Sequence, residues 1–241
     1  MRNPPAVIWL FALLLILWGN VSAPLLGASA WLPGGSWQWA LAGVVLVLAS
    51  LAVARAVGLD AAALGLRGNA LRGAAIGLIL GGGAGAAAVG ALLIAAPPIV
   101  GRAVDYAPLS FVTEAELLRH IGVFLPLGDI LPEELAFRGV LLGALLARGD
   151  RYAVLVSSAA FALWHVAVVL VTVGDTTLAP PSGWFGVALA GAMVAVFVGS
   201  VIFAWLRLRT GSLVTTVAAH WAFNAALLAG LWSAHSPSGC C

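Results

Sequence analysis

Residues 117–147 read LLRHIGVFLPLGDILPEELAFRGVLLGALLA. The stretch is long enough to cross a bilayer, which takes roughly 20 mostly apolar residues. Yet its middle holds Asp129, Glu133, Glu134 and Arg138. An ionisable side chain at the bilayer centre costs about 2.5–3.5 kcal/mol on insertion scales, so residues kept there are candidates for function. Whether the stretch lies in water or in lipid is decided by the rest of the chain. Of 241 residues, 63% are hydrophobic and 8% charged, and the mean hydropathy is +1.10, whereas a soluble domain is about a quarter charged. Too little polar surface exists to cover a soluble globule, so most of the surface must meet lipid.

Seven stretches qualify as spans: Ala6–Leu26, Trp39–Val57, Gly73–Ala96, Leu117–Ala147, Tyr152–Val173, Trp184–Leu206 and Ser212–Trp232. The expected fold is therefore an all-α, multi-pass transmembrane bundle, read as one domain over 1–241. The first stretch has a second reading. Arg2, the apolar run Ala6–Trp18 and the Ala28-Ser29-Ala30 triplet together imitate a signal peptide, whose removal would leave six spans. All 11 basic residues are arginine, and their distribution orients the bundle. With the N-terminus cytoplasmic, Arg2, Arg55, Arg67, Arg72, Arg148, Arg151, Arg207 and Arg209 fall inside, and only Arg102 and Arg119 outside. The C-terminus is then outside, and the expected location is the cell membrane.

Several function classes drop out. A net charge of +2 with no basic run offers nothing to nucleic acid. Cys240 and Cys241 are the only cysteines; they provide no disulfide framework and no structural zinc spacing, and their likeness to a prenylation signal is superficial at an end expected outside. Gly77, Gly81 and Gly85 recur every four residues and offer a strip for close helix packing; without lysine, Ser/Thr or a neighbouring strand they are no phosphate loop. The segment Leu59–Arg72 reads as a short interfacial helix. The first spans carry no residue diagnostic of chemistry, and neither His120 nor His235 is assigned a role.

The intramembrane polar residues fall into three groups: Asp129, Glu133, Glu134 and Arg138 on span four, His165 on span five, His220 and Asn224 on span seven. Counted from the flanking arginines at about 1.5 Å per residue, Glu133, His165 and Asn224 lie at one level, roughly 21–22 Å deep, with Arg138 and His220 a turn nearer the cytoplasm. Glu134 and Arg138 are four apart with the acid first, the favourable order for an ion pair on one helix face. Glu133 points about 100° away with no basic residue three or four positions off, which makes it the better general base. Asp129 precedes it by one turn on the same face. Phe161, Trp164 and Trp221 beside the histidines read as packing or interfacial anchors.

Three motifs can now be read together: Glu133-Glu134-Leu-Ala-Phe-Arg138 (EExxxR), Phe161-Ala-Leu-Trp-His165 (FxxxH) and His220-Trp-Ala-Phe-Asn224 (HxxxN). In these the chain resembles the CPBP family of intramembrane endopeptidases, which includes type II CAAX prenyl proteases and bacteriocin-immunity proteins. No single motif is specific; the three in this order, each in its own apolar span, are. The resemblance covers about Leu117 to Trp232 and implies a catalytic core over 117–232 with a polar cavity in which a peptide bond is hydrolysed. It implies that Glu133 with His165 activates water, that Asn224 donates to the oxyanion with His220 beside it, and that Glu134 and Arg138 brace the site. No cofactor is required by this reading. A zinc-dependent version remains open, since Glu133, His165 and His220 are the ligand types of an open catalytic site, although HExxH is missing. So does a non-proteolytic immunity or binding role for the same cavity. A transporter, in which buried acid/His chains relay protons, lacks the inverted repeat. The partners expected are the lipid bilayer and a membrane-embedded or lipid-modified peptide. The all-arginine, alanine-rich composition looks bacterial, which favours a membrane peptide other than a prenylated CAAX protein. The oligomeric state is left open.

Overall fold

The computed structural model describes residues 5–26 and 35–235. Arg2, the Ala28-Ser29-Ala30 triplet and Cys240-Cys241 lie outside these residues, as does the side chain of His235. The chain is all-α, with no strand among the described residues. Helices α1 (Pro5–Leu26), α2 (Gly35–Ala56) and α3 (Ala70–Gly90, carried on to Val100 through a π turn at Ala91–Ala95) come first. The central helix α4 follows, over residues 114–147. Then come α5 (Ala153–Trp164), α6 (Val166–Gly174), α7 (Phe185–Thr210) and α8 (Leu213–His235).

Seven spans were expected, but by length and apolarity the described helices supply five, or six if α5 and α6 count as one. The shortfall arises in two places. α4 is helical throughout, but its α turns alternate with π turns at His120–Phe124, Pro126–Ile130 and Glu134–Leu141, and its charges break the apolar profile. Its second half is more enclosed than the other helices, whereas Leu118, Leu127 and Leu131 before it are exposed. Ile130, Ala136, Phe137, Val140 and Leu141 are completely buried, so α4 runs through the middle of the bundle. The second place is His165, where the expected span Tyr152–Val173 breaks and bends by 44°.

The apolar core gathers Ile8, Phe11, Ala12 and Leu15 of α1 with Phe137, Val140 and Leu141 of α4 and Phe161 and Trp164 of α5. The glycine strip lies where close packing was expected. A Cβ on Gly77 would stand 2.8 Å from the Ala218 methyl, one on Gly85 2.6 Å from the Phe223 carbonyl oxygen, and one on Gly81 would strike the Ala219 carbonyl. Small residues thus seat α3 directly on the backbone of α8. α2 meets α4 in a similar way, because Gly128 leaves room for the Trp39 ring, whose Nε1–H donates to Asp129 Oδ1 at 2.9 Å.

The expected interfacial helix is shorter than drawn. Residues 61–65 form hydrogen-bonded turns that stop at Gly65, in the left-handed region at φ +78°. Arg207, one of the arginines counted for orientation, is buried and donates to the Ala62 and Ala63 carbonyls at 3.3 and 2.9 Å. The guanidinium takes acceptors that a continuing helix would use. Within these turns the Ala63 N–H, donated to Asp60 Oδ1 at 2.8 Å, holds the exposed Asp60 carboxyl below the ordinary range. At the other end of the bundle, residues 102–107 pair with 175–177 through an isolated antiparallel bridge, Tyr106 to Thr176.

Candidate active site

Two adjacent glutamates on α4 divide the polar centre. Glu133 leads to α5: its Oε2 stands 3.7 Å from His165 Nε2, and both side chains retain a little exposure. That separation is too long for a direct hydrogen bond. The ring's other nitrogen, Nδ1, lies 2.8 Å from the Phe161 carbonyl oxygen. A carbonyl only accepts, so Nδ1 carries the proton and Nε2 presents a lone pair toward Glu133. The Trp164 indole reaches the same carboxylate.

Glu134 leads to α8 and back along its own helix. Its Oε1 forms an ion pair with Arg138 Nη1 at 3.0 Å and accepts from His220 Nδ1 at 2.9 Å. Glu134 and Arg138 are fully buried. Arg138 Nη2 donates to Ser200 Oγ on α7 at 2.9 Å, and the guanidinium lies 4.0 Å from the Phe161 ring centroid and 5.5 Å from that of Phe203. Burying a guanidinium is tolerated only when it is paired and satisfied. Here a carboxylate pairs the charge, a hydroxyl takes one N–H and two aromatic faces flank the plane, while Nε and Nη1 make no hydrogen bond among the described residues.

Phe161 joins the two halves, since its ring also stands 4.3 Å from that of His165. The structure thus brings Glu133 to His165, and Glu134 to Arg138 and His220. Asn224 is four residues beyond His220 on α8 and partly exposed; among the described residues it has no hydrogen bond to the other five. Among the described residues no three His, Cys, Asp or Glu side chains converge to hold a metal ion, and of Glu133, His165 and His220 only the first two adjoin, because His220 turns to Glu134.

Three contributors escaped the sequence reading. Ser200 and Phe203 lie in a span with no charged residue before Arg207, and Asn20 lies in the first span; each is a polar or aromatic group in an apolar run. Asn20 was the legible one, since a lone carboxamide in a membrane helix needs a partner.

A multi-pass helical membrane protein with a paired, buried acid–imidazole–guanidinium centre is the class that fold and site define. Residues 116–226 match the family model of the Rce1-like type II CAAX prenyl endopeptidases, a match that takes in all six polar residues of the centre. No curated protein and no solved structure matches the chain.

Proposed function

We propose that the protein is an intramembrane endopeptidase that hydrolyses a peptide bond of a membrane-embedded or lipid-modified substrate, using water activated by Glu133 and His165. The observation that carries this reading is the 3.7 Å separation of Glu133 Oε2 and His165 Nε2, with the ring tautomer fixed by Phe161. Two acceptors at that distance can each take one O–H of a single water, leaving the water lone pair for a carbonyl carbon. In the attack Glu133 takes the proton while the oxygen bonds to carbon. When the C–N bond breaks, the same proton passes to the leaving amine.

The tetrahedral oxyanion needs donors held in advance. Asn224 fits that role through its carboxamide N–H, and His220 stands beside it, its Nδ1–H committed to Glu134. Glu134 and Arg138 hold His220 in place and take no part in proton transfer. Nothing in this sequence of steps calls on a metal, so activity should survive chelation; chelator-sensitive turnover with stoichiometric metal in the purified protein would instead support the zinc version. The N-terminus is assigned to the cytoplasm and the membrane to that of the cell, on the arginine distribution.

The test is the purified Glu133→Gln variant on a cleavable membrane peptide. Glutamine keeps shape and removes the base, so turnover should vanish while the protein still inserts. Wild-type turnover in this variant would sink the proposal, and rescue of the cellular phenotype by the same variant would favour a binding or immunity role.

A further inference from the structure

The break between α5 and α6 falls on His165, and neither proline nor glycine is there to cause it. Sharp kinks otherwise arise where a side chain inserts into the i→i−4 ladder, and one does. Asn20 of α1 places its carboxamide in the rung that Ala167 N–H and Leu163 C=O would form in a continuous helix. Its Oδ1 accepts from Ala167 N at 2.9 Å and its Nδ2 donates to Leu163 O at 2.7 Å. The second Nδ2 proton goes to Ile16 O at 2.8 Å, within α1 itself, which fixes the plane of the amide. Next to it, Gly19 lets the two helices touch, since a Cβ there would stand 2.6 Å from both the Trp164 Cγ and the Trp164 carbonyl oxygen.

The break reaches the imidazole through the backbone. In an unbroken helix the His165 N–H would bond the Phe161 carbonyl. Here it bonds the Ala162 carbonyl at 3.0 Å instead, and the released Phe161 oxygen is the one that His165 Nδ1–H takes. We infer that Asn20, by occupying the Ala167–Leu163 rung, is a positioning residue that keeps α5 and α6 apart and thereby fixes the tautomer and aim of His165. The inference rests on the proposed function for its catalytic consequence, though not for its structural one.

The experiment uses the full chain in lipid nanodiscs with ¹⁵N-labelled histidine, the His165 signal being assigned by its loss in His165→Gln. In the wild type His165 should show the Nδ1–H tautomer. Asn20→Leu, which lets the rung close, should shift that signal to the Nε2–H form or a mixture. On a cleavable membrane peptide it should lower kcat by about 10- to 100-fold, as small misplacements of reacting groups do, with KM within about twofold of wild type because no substrate contact is lost. Asn20→Ser gives a second reading on a side chain of low membrane cost. Its hydroxyl bonds back to Ile16 O and is too short to bridge the rung, so it should show the same change. An unchanged His165 tautomer in the folded variants overturns the clamp. A changed tautomer with unchanged kcat overturns its positioning role. Glu133→Gln, run in parallel, separates the two readings: an active Glu133→Gln enzyme removes the catalytic assignment and leaves the tautomer result to decide the clamp alone.

Discussion

Neighbouring glutamates on one helix point about 100° apart, and here that angle separates two kinds of work. Glu133 faces His165 across 3.7 Å with some access, whereas Glu134 is shut in between Arg138 and His220. The two conservative amides should therefore behave differently. Glu134→Gln leaves the buried Arg138 without its counter-charge, a loss of about 3–5 kcal/mol, which should appear as a large drop in the denaturation midpoint in detergent. Glu133→Gln should leave that midpoint close to wild type. Equal midpoints for the two would contradict the division. Asn224→Ala removes one oxyanion donor and should reduce kcat by about 10²–10³ without abolishing it; full activity would remove Asn224 from the mechanism. At this scale the sequence was informative, because each charge or imidazole in an apolar run is an anomaly with a cost attached. It said less about pairing. Asp129 lies one turn before Glu133, as its spacing indicates, but its bond from Trp39 of α2 crosses elements and leaves no mark in spacing.

At the scale of helices, the Gly73–Gly85 strip is what brings α8, and with it His220 and Asn224, against the rest of the bundle. Gly81 and Gly82 make a natural pair for measuring this. A side chain on Gly81 would strike the α8 backbone, while one on Gly82 meets open space. Gly81→Leu should lower the unfolding midpoint in detergent by an amount equivalent to about 1–3 kcal/mol, and Gly82→Leu should leave it unchanged; similar midpoints would show that the strip is not a packing seam. The strip was legible because its period of four is a geometric statement about one helix face. The break at His165 was not, because Leu163-Trp164-His165-Val166-Ala167 contains no residue that disfavours a helix, and its cause sits on α1. Depth counting rests on a regular helix. It assumed uniform α turns, but α4 contains π turns, which carry i→i+5 bonds and change the rise between Arg148 and Glu133.

Across the whole molecule, the family match begins at residue 116, yet the helices before it are built into the same core. α1 contributes Phe11 and Leu15 beside Phe137, Phe161 and Trp164, α2 holds Asp129, and α3 supports α8. The N-terminal half looked uninformative in sequence because its contributions are small: one carboxamide, one indole and a row of missing side chains. The span count, too, is a property of the assembly. α4 reads as an ordinary span by length, but the burial of its residues from Pro132 to Leu145 is set by the neighbours around them.

The Glu134–Arg138 pair has a further consequence, which concerns the order in which the protein is made. Ser200, Phe203 and His220 are synthesised long after α4, so none is present when that helix first leaves the ribosome. Each ion entering the bilayer alone would add about 2.5–3.5 kcal/mol to the cost of insertion. Because Glu134 and Arg138 lie one turn apart on the same helix, 3.0 Å from each other, they neutralise one another as soon as that turn forms. α4 thus carries its own chaperone for its least membrane-compatible residue, and can wait in the membrane until α7 and α8 arrive to complete the centre.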